Sequence, residues 1–268
     1  MFGWIKPEDY SFNHFLLFEE FQIRLVLENS GWKRDKDEWR ENMGICLKAY
    51  PIVAWYFRQR ASTVAHIVDE LIANAPVVDC ETTNSAENWV LLSMEDFVIH
   101  TTPEKMADCC DYIKGWDKNR LFELADFDEK VVLDIGAGTG RLAFAAAERA
   151  QMVYAVEPVA TMREFMRNKI AAEGITNVRI TDGFVCDLPY PDELFDIVMS
   201  GHVVGDDLPR ELAEKERVCK KGGYLLNVPG DSEFHIGSYQ ELVDNGWEEI
   251  HYVGSYGKDV HVHRKMKK

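Results

Sequence analysis

The chain has 268 residues, 46 of them acidic against 30 lysines and arginines, for a formal charge of −16. Nucleic acids and anionic membrane surfaces are bound largely through Lys and Arg, so both are disfavoured as partners and a small molecule is the expected ligand. The six cysteines are scattered with no Cys-x-x-Cys pair, no stretch of eighteen apolar residues occurs, and residues 1–10 lack a basic start with an apolar core, which predicts a soluble, untargeted, cytoplasmic protein without disulfides or a zinc site.

Apolar residues recur at helical spacing over Phe12–Leu27 and Pro51–Ala73, and Trp39–Ala49 reads as a further helix. Six of the seven tryptophans (Trp4, Trp32, Trp39, Trp55, Trp89 and Trp116) precede residue 120. That enrichment fits helical core, a pocket for a flat apolar substrate, or a homodimer interface. Ala75–Val90 is polar and contains Pro76, Asn84 and Ser85, so it reads as a loop or irregular hairpin. Pro103–Leu124 reads as one or two helices starting after Thr102. Within it Cys109 and Cys110 are adjacent; vicinal thiols can bind a soft metalloid, but here two small apolar helix residues are the simpler reading.

The most informative segment follows. Val131–Ile135 is a β-favouring run that carries Asp134 and stops at Gly136, Ala137, Gly138, Thr139, Gly140, after which Arg141–Ala150 supplies good helix formers. A dinucleotide fingerprint needs its third glycine at the sixth position of the turn, and that position is Arg141. A second strand, Met152–Val156, ends at Glu157 and Pro158; a carboxylate there can accept hydrogen bonds from two vicinal ribose hydroxyls. Next come a helix containing Met162, a third strand at Val178–Thr181, then Asp182, Gly183 and Phe184, and a fourth strand at Phe195–Ser200. His202 follows the fourth strand directly, with Asp206 and Asp207 in the same loop. The chain continues with a helix at Leu208–Cys219, a strand at Tyr224–Val228, a helix at Ser238–Asn245 closed by Gly246, and two alternating strands, Trp247–Val253 and Asp259–His263, joined by hairpin residues. His261 and His263 share one strand face, with His251 across the hairpin; surface histidines are preferred to a metal site.

Glycines at the first, third and fifth turn positions behind an acid, with the elements that follow, resemble motif I and the sheet of the class I S-adenosylmethionine-dependent methyltransferases over about Lys130–Arg264. The resemblance implies an α/β fold whose seven-stranded mixed sheet carries helices on both faces and a reversed C-terminal hairpin. Residues 126–268 would form that domain, and residues 1–125 a mainly helical cap that serves the substrate or dimerisation. S-adenosylmethionine is the implied cofactor, held by Asp134, Gly136, Ala137, Gly138, Gly140, Glu157, Pro158, Met162, Asp182, Gly183, Phe184 and Ser200. In the small-molecule branch an acid before a Leu-Pro-aromatic turn bonds the adenine amino group. Counting back from Leu188 and Pro189 gives Phe184, with Asp182 two residues early. Either Asp182 reaches the adenine edge, or Phe184 stacks and a backbone amide reads the base.

The implied reaction is in-line methyl transfer to a small acceptor, in which positioning supplies most of the rate. His202 is the candidate general base, with a structural loop histidine as the alternative. Trp116, Asp117, Arg120 and Asp206 are candidates for a lid or substrate wall. Two other readings stay open: a module that binds the cofactor without turnover, and an NAD(P)-dependent oxidoreductase, disfavoured by Arg141 and the hairpin.

Overall fold

The computed structural model describes residues 3–28, 35–205, 207–232 and 239–268. The chain divides into two compact units, Met1–Met106 and Ala107–Lys268.

The first unit is helical, with α1 (Glu20–Glu28), α2 (Lys36–Ala49), α3 (Pro51–Arg60), α4 (Ala65–Asn74), α5 (Cys80–Ser93) and α6 (Glu95–Val98). Phe12, Phe15, Phe18, Trp39, Met43, Leu47 and Phe57 are fully buried in it, so Trp39 is core, whereas Trp55 stays 56% exposed. Trp32 lies outside the described residues. The two long helices expected here are each interrupted. Phe12–Leu17 is a 3-10 segment separate from α1, and Pro51–Ala73 breaks at Ala61 into α3 and α4, where Ser62–Val64 forms a 3-10 turn. Hydroxyl and β-branched side chains lower the preference for continuing a helix at that point.

Only residues 75–79 of Ala75–Val90 are loop; from Cys80 the segment belongs to α5. Asp79 caps α5 by accepting the Thr82 amide at 2.8 Å. One face of the helix, including Ala86, Glu87, Val90 and Leu91, is buried. The buried Glu87 carboxylate accepts the Phe12 amide and the Tyr50 hydroxyl, each at 2.6 Å. Asn84 and Ser85, which suggested a loop, lie on the solvent face of this amphipathic helix, and Pro76 precedes it.

The second unit is built on a seven-stranded sheet ordered β3-β2-β1-β4-β5-β7-β6. Its strands are β1 (Val131–Ile135), β2 (Met152–Val156), β3 (Val178–Thr181), β4 (Phe195–Ser200), β5 (Cys219–Asn227), β6 (Glu248–Val253) and β7 (Asp259–Met266). The first five are parallel and β7 is antiparallel to both neighbours. α10 (Arg141–Ala147), α11 (Ala160–Glu173), α12 (Leu208–Val218) and α13 (Gln240–Asp244) are the later helices; Ser238, the expected start of the last one, lies outside the described residues. Side chains alternate between faces. Val132, Val153, Met199 and Leu226 pack with α10, while Leu133, Ile135, Val198 and Leu225 pack with α12 and α13.

Pro103–Leu124 consists of three short helices, α7 (Pro103–Cys109), α8 (Asp111–Lys114) and α9 (Asn119–Phe122), divided at Cys110 and around Gly115. Leu121, Leu124 and Phe127 are buried in one cluster with Val132, Leu142 and Val153. The second unit begins at Ala107, and these side chains form part of its core. The C-terminal ends of β1–β5 open on one sheet edge, and the β6–β7 turn falls on the same edge, which is where ligands of open α/β sheets bind.

Candidate active site

At the end of β1 the chain turns with Gly136, Gly138 and Gly140 all at positive φ, 63°, 56° and 87°. The three differ in what surrounds them. A Cβ on Gly136 would meet Val203 Cγ2 at 2.4 Å and one on Gly140 would meet Phe144 Cε2 at 2.3 Å, so those two permit close packing. A Cβ on Gly138 would meet nothing within 4 Å. Gly138 thus presents bare backbone to open space, the arrangement by which a ligand can lie against the chain.

Glu157, at the end of β2, is 5% exposed. Its Oε2 accepts the Gly138 amide at 2.8 Å and its Oε1 the Val159 amide at 2.9 Å. Burial raises its carboxyl above the ordinary value, against the lowering effect of those amides. A carboxylate offers about four acceptor sites and two are occupied, so capacity for a diol is left. Arg163 on α11 donates to the Glu157 carbonyl at 2.8 Å and to Asp182 Oδ1 at 3.0 Å. Asp182 is therefore exposed and ion-paired beside the end of β3, while Phe184 is 45% exposed and forms a bridge with Asp187. Met162 is buried and Pro158 partly buried behind this corner.

Asp134, on β1, is 1% exposed; one oxygen takes the Ala143 amide and Oδ2 has no hydrogen-bond partner. Burial pushes its carboxyl up to about 7, with the nearby Arg141 charge opposing the shift. Arg141 sends Nη2 to the Val228 carbonyl at 2.6 Å, and its guanidinium lies 4.5 Å over the Trp116 ring. Arg120 stacks instead on Tyr252 of β6, 4.7 Å from the ring centroid, and pairs with Glu123. Asp117 folds back on Asn119. Trp116 thus adjoins the ligand edge through Arg141, whereas Arg120 fastens α9 to the hairpin.

His202 adopts φ +59°, an uncommon conformation for a residue with a side chain. Its Nε2 lies 2.6 Å from the Pro229 carbonyl and its ring 4.8 Å from that of Tyr112. A carbonyl can only accept, so Nε2 carries the proton. The crowded surroundings and the Arg141 charge push the imidazole down to about 4, and the Pro229 bond offsets only part of that. It is accordingly neutral at pH 7 and a weak base.

One face of α12 braces the loop after β4 at both ends. Lys215 Nζ donates to Ser200 Oγ at 2.7 Å, and Glu211 accepts the Gly205 amide at 2.8 Å and the Asp207 amide at 3.0 Å. Ser200 is fully buried with its hydroxyl engaged in this brace. Asp206 lies outside the described residues. On the hairpin side, Asp231 accepts the Tyr252 hydroxyl at 3.1 Å and the Ser255 amide at 2.8 Å, which ties the β6–β7 turn to the end of β5. Spacing gave no sign of Glu211, Lys215 or Asp231, because their partners are loop amides or lie across the sheet.

Asp134, the three glycines, Ala137, Glu157 and His202 therefore gather at one edge, with Asp182, Gly183 and Phe184 at its β3 end. A cavity of about 660 Å³ between α10 and α11 touches that set only at Gly140. The histidine cluster is different from the expectation of surface residues. His261 pairs with Glu249 at 3.1 Å and stacks on His251, but His263, beside Asn227 of β5 and 3.4 Å from Glu249, is completely buried. Among the described residues, no group of three or more His, Cys, Asp or Glu is arranged to hold a metal ion.

Comparison with known proteins agrees with this geometry. Residues 132–223 match the family described as methyltransferase domain. An uncharacterized methyltransferase of Anoxybacillus flavithermus is 32% identical over 144 residues, 52% of this chain and 63% of that protein. A demethylmenaquinone methyltransferase of Deinococcus radiodurans is 33% identical over 117 residues, 42% of this chain and 48% of that protein. The chain thus spans about half to under two thirds of these relatives' lengths. The crystal structure of a SAM-dependent methyltransferase from Aquifex aeolicus superposes with TM-score 0.50 at 19% identity, over 60% of this chain and 95% of that one. Residues 132–223 are thus similar to a methyltransferase domain, and the second unit shares the fold of that S-adenosylmethionine-dependent methyltransferase.

Proposed function

We propose that the protein transfers a methyl group from S-adenosylmethionine to a small-molecule acceptor. The observation that carries this reading is the pairing of Gly138, bare toward open space, with the Glu157 carboxylate 2.8 Å from its amide. The residues present fit the adenosyl amino acid. Glu157 has acceptor capacity for the ribose diol, and Asp134 keeps a buried oxygen without a partner, suited to an ammonium group whose arrival would ionise it. When bound, the donor supplies an electrophilic sulfonium methyl. This chain's part is then to hold the acceptor in line and to exclude water.

His202 serves that task as a neutral wall residue, fixed by Pro229 and Tyr112, and not as a strong base. The α12 brace keeps its loop in one conformation, and the hairpin tether closes the opposite side. A small acceptor is supported by the acidic charge, which disfavours nucleic acid, and by the named acceptor of the demethylmenaquinone methyltransferases among the relatives. The helical first unit is proposed as a substrate cap or dimerisation region. Calorimetry with S-adenosylhomocysteine, followed by incorporation of labelled methyl from S-adenosylmethionine into a metabolite extract, tests the assignment. Binding with incorporation supports transfer, binding alone would identify a cofactor-holding module, and no binding would remove the reading.

A further inference from the structure

We propose that Arg141 is a carboxylate subsite at the ligand edge, reading an acidic group of a bound molecule. The inference rests on the methyltransferase reading for the identity of that molecule. Among the described residues, no carboxylate comes within ion-pair distance of the Arg141 guanidinium. The two acids whose charges act on it, Asp134 and Asp231, form no ion pair with it. Asp231 holds Tyr252 and Ser255, and Asp134 takes the Ala143 amide. Burial draws the guanidinium down to about 10, which leaves it charged at neutral pH. A largely enclosed guanidinium with no carboxylate at hydrogen-bonding distance is costly, and ligand sites are where that cost persists.

The surroundings suit a planar acidic group. Nη2 is anchored to the Val228 carbonyl and the guanidinium plane rests on Trp116, so the group is oriented, yet Nη1 is buried with no hydrogen-bond partner. Glycines stand where side chains would crowd it: a Cβ on Gly201 would come within 2.9 Å of Nη2 and one on Gly230 within 3.0 Å of Nη1. A purely structural anchor for the Val228 carbonyl needs a single N–H. The unused edge of an immobilised fork is the feature that matches a carboxylate. That carboxylate could belong to the amino-acid end of the donor or to the acceptor.

Arg141→Gln and Arg141→Lys, checked for intact folding by thermal unfolding, are titrated with S-adenosylhomocysteine and with 5′-methylthioadenosine, which lacks the amino-acid end. Benzoate and its uncharged counterpart benzamide are then titrated onto protein saturated with S-adenosylhomocysteine. At least a tenfold loss of S-adenosylhomocysteine affinity in the Gln variant, with methylthioadenosine unchanged and partial retention by Lys, assigns the subsite to the donor. Unchanged nucleoside binding with loss of benzoate binding, benzamide being inert throughout, assigns it to the acceptor. Arg141-dependent benzoate binding to a wild-type protein that ignores both nucleosides would keep the subsite and remove the methyltransferase reading. Equal losses for both nucleosides, or no change with any probe in the variants that fold, would overturn the proposal. So would a wild-type protein that binds none of these probes.

Discussion

The Glu157 carboxylate accepts the Gly138 amide at 2.8 Å, which fastens the end of β2 to the glycine turn after β1. Acid and turn therefore form one unit, and removing the acid both deletes an acceptor and frees two amides. Glu157→Ala is expected to weaken S-adenosylhomocysteine binding by about 1.5–3 kcal/mol, the range for charge-assisted hydrogen bonds, with Glu157→Gln intermediate. Calorimetry reads the change, and an unaltered dissociation constant would remove Glu157 from the ligand site.

The glycines of the turn should respond differently to substitution. Gly138→Ala places a methyl group in open space at positive φ, so the expected stability cost is only the backbone strain of about 1–2 kcal/mol, while ligand binding is lost. Gly140→Ala would drive a methyl group into the Phe144 ring and should lower the melting temperature further. Thermal unfolding with and without S-adenosylhomocysteine separates the two effects. Equal behaviour of the variants would contradict the division of labour within the turn.

A third prediction concerns pH. Asp134 titrates at about 7 in the folded protein, against 3.8 ordinarily, so between those values the folded state holds a proton that the unfolded state has released. The raised value means that stability from this group is complete below about pH 4 and falls as pH rises through 7. Asp134→Asn removes that dependence, so the variant should gain stability relative to wild type across this window. Denaturant midpoints measured at several pH values test it, and a constant difference would show that Asp134 is ionised throughout.

A fourth prediction concerns the brace beneath His202. Glu211→Ala leaves the Gly205 and Asp207 amides without their acceptor, so their hydrogen exchange should accelerate while exchange in β1 and β2 stays unchanged. Uniform acceleration through the sheet unit would indicate global destabilisation in place of a local brace.

The sheet was legible because its signals are local. The run into Gly136, the acid ending β2 and the hairpin residues before β7 each declare an element within a few positions. The α5 helix was missed because its polar face is the longer part of the pattern, and its buried acid, Glu87, makes sense only once Phe12 and Tyr50 are brought to it. Around the site, Arg141 was visible only as the absence of a glycine at the sixth turn position. Its burial depends on β5 and α8–α9 arriving from opposite ends of the domain. Asp182 was recognised as a candidate, but its commitment to Arg163 depends on the relation of α11 to the end of β3. Contacts of this kind are set by tertiary packing, which spacing along the chain does not encode.

The central claim is that the edge around Gly138 and Glu157 holds an adenosyl amino acid. Its most direct test is calorimetric titration of the full chain with S-adenosylhomocysteine, in parallel with NADH. Saturable one-to-one binding of S-adenosylhomocysteine that is weakened in Glu157→Ala, with none for NADH, is the predicted result. Binding of NADH in its place, or of neither ligand at millimolar concentration, would contradict the account.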